Sequence, residues 1–212
     1  MKEERAAETV ALSLLVMKEI FRVDGLYYRL MTLAANAFII NLVFVLSGLT
    51  VVLLGPAIIA LYQITKRVMA GEEDHVLTTY FKIMKKNLVR GWLLFGILLV
   101  GAGLAIGLTL LVGALGQWAA AVMIFFVASV ALLLGTFAYD FALSQDSVRQ
   151  AFNNALILFF QHIVYSIVIL LIPVVVLSLI GKVNLYLALC LGFFVACYLQ
   201  IYFVRKVGVF DE

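Results

Sequence analysis

Few side chains in this 212-residue chain could do chemistry in an apolar setting, and most of them are amides. Asn36, Asn41, Gln63, Gln161, His162, Ser166 and Gln200 all fall inside long apolar runs. An amide or imidazole is costly in hydrocarbon unless it is partnered, so each should face other helices. Two readings stay open. The first is hydrogen bonding between helices, worth about 0.6 kcal/mol per contact in measured cases. The second is a polar site in the inner half of a bundle, joining Gln63, Gln161 and His162 near a helix kink at Gly55 and Pro56. A transport cavity would in addition draw on Asn36 and Asn41.

Catalytic, metal-binding and cofactor-binding residues are not indicated. There is no Gly-x-Ser-x-Gly, no phosphate-cradling loop and no paired-histidine zinc pattern. His75 follows Glu72, Glu73 and Asp74, a cluster that would hold a hard cation only if further ligands converged on it; otherwise it is a solvated acidic turn. Asp140 either pairs with Arg149 across a short connection or faces water. Cys190 and Cys197 are seven residues apart, two helical turns, which is too far for a mutual disulfide, and they read as small apolar residues. An enzyme would have to work with Asp140, His75 and His162 alone, so a non-enzymatic protein is expected.

The elements that position these residues follow from composition. Hydrophobic residues make up 66% of the chain, charged residues 13%, and the mean hydropathy is +1.16. A soluble domain has about 25% charged residues, so this is an integral membrane protein. Its net charge of +3 gives no reason to expect nucleic acid as a partner. Runs without Asp, Glu, Lys or Arg cover residues 30–65, 91–139, 150–181 and 183–204. About 20 apolar residues cross a bilayer, so the second run holds two helices, turning near residues 113–117, and the third and fourth hold one each. The first run is either one long helix ending at Gly55 and Pro56 or a hairpin turning at Ser47 and Gly48.

Charge bias favours the hairpin. It gives six spans with 14 of the 15 lysines and arginines on one side and only Lys182 opposite, whereas five spans divide them six against nine. The expected architecture is an all-α polytopic bundle of six transmembrane helices in three hairpins. Residues 1–29 form an N-terminal cytoplasmic segment, 30–204 the membrane domain and 205–212 a cytoplasmic tail. No cleavable signal is evident among the charged first residues.

Outside the spans, Val10, Leu14, Met17 and Phe21 recur at helical spacing and predict an interfacial helix. Val76, Leu77, Tyr80, Phe81, Met84 and Leu88 form an apolar face, with Lys82, Lys85, Lys86 and Arg90 mostly opposite. This amphipathic elbow would lie along an anionic inner leaflet or serve only to set topology. Phe152, Asn153 and Asn154 echo Phe81 and Asn87, suggesting a second elbow and the order hairpin, elbow, hairpin, elbow, hairpin. In the third span Gly103 and Gly107 carry the close-packing spacing, serving packing within the bundle or a homodimer.

Residues 22–95 carry a resemblance. Asp24-Gly25-Leu26-Tyr27-Tyr28-Arg29, Asn41, Leu54-Gly55-Pro56-Ala57, Ala60-Leu61-Tyr62 and Arg67-Val68-Met69-Ala70-Gly71-Glu72-Glu73 are similar to the YesL-like family of bacterial integral membrane proteins. The chain departs from it with Thr50 and Leu53, where that family usually has Pro and Thr. The resemblance implies a protein of a bacterial cytoplasmic membrane, and the charge bias of the six-span model puts both termini in the cytoplasm. The resemblance further implies an accessory or assembly factor for carbohydrate uptake, partnered by the lipid bilayer and by carbohydrate transporter subunits. It carries over no catalytic residue and no cofactor. The alternative is a small solute transporter or channel with a polar site in the bundle.

Overall fold

The structure, a computed structural model, describes residues 26–72, 75–113 and 117–207. The interfacial helix expected before the first span lies outside them, as do Glu73 and Asp74. The described residues form an all-α polytopic bundle with six helices long and apolar enough to cross a membrane. In chain order they are α1 (Leu26–Leu49), a 3₁₀ turn (Val51–Leu53), α2 (Leu54–Met69), α3 (Val76–Lys86), α4 (Leu88–Gly113), α5 (Gln117–Leu143), α6 (Val148–Gln161) and α7 (Ile163–Val183). The last rod is α8 (Leu185–Leu187), a π-helical turn (Ala188–Gly192) and α9 (Phe193–Val207). Three consecutive helix pairs are thus separated by two amphipathic elbows, α3 and α6.

Local chemistry sets the boundaries. Ser147 and Gln150 form a reciprocal capping box that starts α6, and the Asn184 side chain accepts from the Tyr186 N–H to start α8. Gly71, at φ +82°, allows the turn after α2. Each elbow runs into the next span through one non-helical residue, Asn87 or His162.

The first pair differs from expectation at its turn. Helix α1 runs unbroken through Ser47 and Gly48, and the chain turns at Thr50, whose hydroxyl donates to the Ser47 carbonyl at 2.7 Å. Pro56 does not kink α2, because it lies in the first helical turn, where a missing N–H costs little. The carbonyl it would have served, Val52, instead accepts from the Trp92 indole N–H at 2.9 Å.

The other four apolar rods share one end, where α4 begins, α5 ends, α7 begins and α9 ends; both elbows sit there. Arg90 on α4 bonds to Phe141 and Ser144, and Gln200 on α9 bonds to Ile169 on α7. Helix α2 is 16 residues, about 24 Å, long. Yet Gly55 abuts Gly91, Ile59 packs with Leu94 and Phe137, Tyr62 meets Tyr139 and Gln200, and Gln63 reaches Ala142. At 1.5 Å per residue all those partners lie within about 10 Å of the elbow end. Over Gly55–Gln63, α2 therefore meets α4, α5 and α9 near their elbow ends.

Helix α1 descends to that platform. Asn41 meets Leu189 and Phe194 in mid-bundle, whereas Ser47, two turns on, meets Tyr80, whose hydroxyl donates to the Ala57 carbonyl on α2. So α1 runs in the same direction as α9, and its first residues lie at the end opposite the elbows. The hydrophobic core forms one cluster from α1, α2 and α3 through Ile40, Phe44, Ile64 and Tyr80 and a second at the α4–α5–α6 contact around Leu94, Phe141 and Ala155, with partly buried Ile58 and Tyr62 packed against both. Helices α4 and α7 turn most of their surface outward.

Candidate functional site

The polar side chains of the bundle gather at two levels. In mid-bundle the carboxamide of Asn41, fully buried on α1, accepts from the Phe194 N–H at 2.9 Å and donates to the Leu189 carbonyl. These two backbone groups stand five residues apart, the interval that a π-turn would close on itself. Asn41 is therefore inserted into the backbone ladder of the last rod, which explains why the helix is widened over Ala188–Gly192.

Near the elbow end, α2 carries a second set of bonds. The Tyr62 hydroxyl donates to Gln200 Oε1 at 2.6 Å, and Gln200 Nε2 donates to the Ile169 carbonyl at 2.5 Å, tying α2, α9 and α7 into one chain. The Tyr139 ring meets Tyr62 edge-on at 5.7 Å between centroids. Gln63 Nε2 donates to the Ala142 carbonyl at 3.1 Å.

The C-terminus of α5 holds the site that residue spacing did not reveal. Arg90 Nη2 donates to the Phe141 carbonyl at 2.8 Å and to the Ser144 carbonyl at 2.7 Å, and the guanidinium stacks on the Phe141 ring at 4.2 Å. The last carbonyls of a helix have no intrahelical donor, and a cation there also meets the negative end of the helix dipole. Asp140 is buried in the same corner, accepts from Asn154 Nδ2 at 3.2 Å, and lies within electrostatic reach of Arg90 and Asp146. Arg149 is exposed, so the expected Asp140–Arg149 pairing is replaced by Asn154 from the second turn of the elbow. The available signal was a lone carboxylate and a lone arginine at the two facing ends of one helix pair.

The expected cluster of Gln63, Gln161 and His162 does not form. Gln161 and His162 are exposed where α6 passes into α7, and the following Ile163 and Val164 also point outward. The His162 ring meets the Tyr165 ring at 5.4 Å. Asn36 is buried with its Nδ2 unpartnered among the described residues, and Ser166 Oγ is likewise buried and unpartnered. Among the described residues nothing lies within 4 Å of a Cβ placed on Gly103 or Gly107. The close approach occurs at Gly55 and Gly91 instead: a methyl on Gly55 would fall on the Gly91 carbonyl, and one on Gly91 would fall on the Pro56 nitrogen.

Outside the bundle, Glu72 is exposed and lies 3.9 Å from Arg67. Among the described residues no three metal-ligating side chains converge. Cys190 and Cys197 are both free thiols. On α3, burial pushes the Tyr80 phenol above its ordinary value, opposed by its hydrogen bond to Ser47, so it stays a neutral donor.

The arrangement is thus a set of clamps, each using a side chain to satisfy backbone groups of a neighbouring helix. No curated protein and no solved structure matches the chain. Residues 37–108, the stretch that holds Asn41, the Gly55–Gly91 contact, Gln63 and Arg90, are similar to the family described as "Protein of unknown function, DUF624".

Proposed function

We propose that this is a non-enzymatic accessory or assembly factor of a bacterial cytoplasmic membrane, acting beside carbohydrate-uptake machinery. The observation that carries the reading is how its buried amides are used. Buried Asn41 and Gln200 and half-buried Gln63 are each bonded across a helix interface, Asn36 being the buried amide with an unpartnered Nδ2 among the described residues, and the His162 imidazole is exposed at the seam between α6 and α7. The surface left for interaction is the outward apolar side of α4 and α7, which suits partner helices or lipid. The sugar-uptake setting rests on the resemblance of residues 22–95 to the YesL-like family. Affinity capture of a tagged copy from native membranes should recover transporter permeases, and recovery of the tagged chain alone would overturn the reading.

We place the elbow end in the cytoplasm. It carries Lys66, Arg67, Lys82, Lys85, Lys86, Arg90, Arg149, Arg205 and Lys206, nine of the 15 basic residues. With Ser47 beside Tyr80 on the elbow, we further propose that the first residues of α1 face outward, against the expectation that both termini are cytoplasmic. In a background with Cys190 and Cys197 replaced by alanine, Glu72→Cys should react with an impermeant maleimide from the cytoplasmic side. Tyr28→Cys and Lys182→Cys should react from the outside; labelling of Tyr28→Cys together with Glu72→Cys would refute this orientation.

A further inference from the structure

The elbow α3 divides its surface into three sectors at 100° per residue. Val76, Tyr80 and Ile83 are buried against α1 and α2. On one flank Leu77 and Phe81 are 45% and 48% exposed, an apolar strip that water does not favour. On the other, Lys82, Lys85 and Lys86 are exposed, and among the described residues no carboxylate lies within ion-pair distance of them. The helix passes into α4 through Asn87, whose N–H bonds back to Ile83 while its carbonyl accepts from Gly91, so α3 is held at the depth where a span begins.

We propose that this face binds acidic phospholipid: Lys82, Lys85 and Lys86 hold headgroup phosphates of the leaflet at the elbow end, and Leu77 and Phe81 enter the acyl region beside them. The apolar strip selects a lipid over free phosphate, because a soluble anion would leave Leu77 and Phe81 in water. The second elbow supplies the contrast. Helix α6 occupies the same position before its span with one cation, Arg149, beside exposed Gln150 and Asn153, so an elbow can start a span without three lysines. Each lysine near an acidic surface contributes about a five-fold preference.

The test uses the full chain in nanodiscs of equal phosphatidylcholine and phosphatidylglycerol, re-extracted in mild detergent, with retained lipid counted by mass spectrometry. The wild type should retain phosphatidylglycerol at least about five-fold over phosphatidylcholine, and raised salt should weaken that preference. Lys82→Gln/Lys85→Gln/Lys86→Gln should bring it to near parity, whereas Arg205→Gln/Lys206→Gln should leave it intact. Equal retention of the two lipids by the wild type, or an unchanged preference in the triple variant, overturns the proposal. So would release of the lipid by inorganic phosphate as readily as by added phosphatidylglycerol, which would mark an anion site without lipid. A lysine-dependent acidic protein partner captured with no lipid preference would also overturn it.

Discussion

Gly91→Leu is expected to abolish recovery of monodisperse protein. At this position the start of α4 touches the first turn of α2 backbone to backbone, and any side chain on Gly91 would overlap the nitrogen, Cα and ring of Pro56. None of those atoms can swing aside, unlike the tip of a side chain. Overpacking a well-packed interface ordinarily costs about 1–3 kcal/mol, and rigid partners put this case at the top of that range or beyond. Separation of the two helices would also break the Trp92 bond to Val52, leaving a carbonyl that Pro56 cannot serve. Gly55→Val should act in the same way, since its Cβ would meet the Gly91 carbonyl. Gly103→Ala and Gly107→Ala meet nothing within 4 Å and should leave thermal stability in detergent within about 0.5 kcal/mol of wild type. The four variants compared by fluorescence-detected gel filtration after heating would decide it. Loss at Gly103 or Gly107 with survival of Gly91→Leu would show that the tight contact lies elsewhere.

Much of this fold is legible in the sequence, because hydrophobic run length is a coarse and sturdy signal. The pair bounded by Gly113 and Gln117 occurs where run length puts it and the elbow at Val76–Lys86 where helical period puts it, whereas run length alone gives 150–181 to one span and only the echo of Phe81 and Asn87 in Phe152–Asn154 points to the second elbow, Val148–Gln161. The path of the first 36-residue apolar run was not legible. Its composition fits either one crossing or two, and charge bias had to decide. That count rests on placing the five cations of the first 29 residues with the elbows, and four of them, Lys2, Arg5, Lys18 and Arg22, lie outside the described residues.

Within the site, the amides most worth attention were visible as polar residues in apolar runs, but their partners were not. A backbone carbonyl such as Leu189 or Ala142 has no signature in sequence. Gln161 and His162 are polar residues in an apolar run too, yet they mark the exposed seam between an elbow and a span. Gly103 and Gly107 show the same limit, because a small-residue spacing suits a lipid-facing surface as well as a packed one. The Arg90–Asp140–Asn154 corner depends on three helices meeting at one depth, and that is a property of tertiary structure.

Asn41→Leu is expected to be the most damaging side-chain replacement that conserves volume. It removes the acceptor for the Phe194 N–H and the donor to the Leu189 carbonyl at once, in a site with no solvent exposure. A buried backbone group left without a partner costs about 1–3 kcal/mol, and two are stranded here. The loss should therefore be about 2–6 kcal/mol, enough to lower the detergent melting temperature by several degrees. Asn41→Asp separates the two bonds, since a carboxylate still accepts from Phe194 but cannot donate to Leu189; burying its charge adds a further cost. The π-turn offers a rescue that a merely bulky core residue would not. If Ala188–Gly192 is wide because Asn41 is wedged into the ladder, deleting one residue there should let the rod close into regular α-helix. Deletion of Leu189 should destabilise the wild type but restore part of the stability lost in Asn41→Leu. Strictly additive losses in the double variant, measured by thermal unfolding in one detergent, would mean that Asn41 supports the turn by packing and not by bridging it.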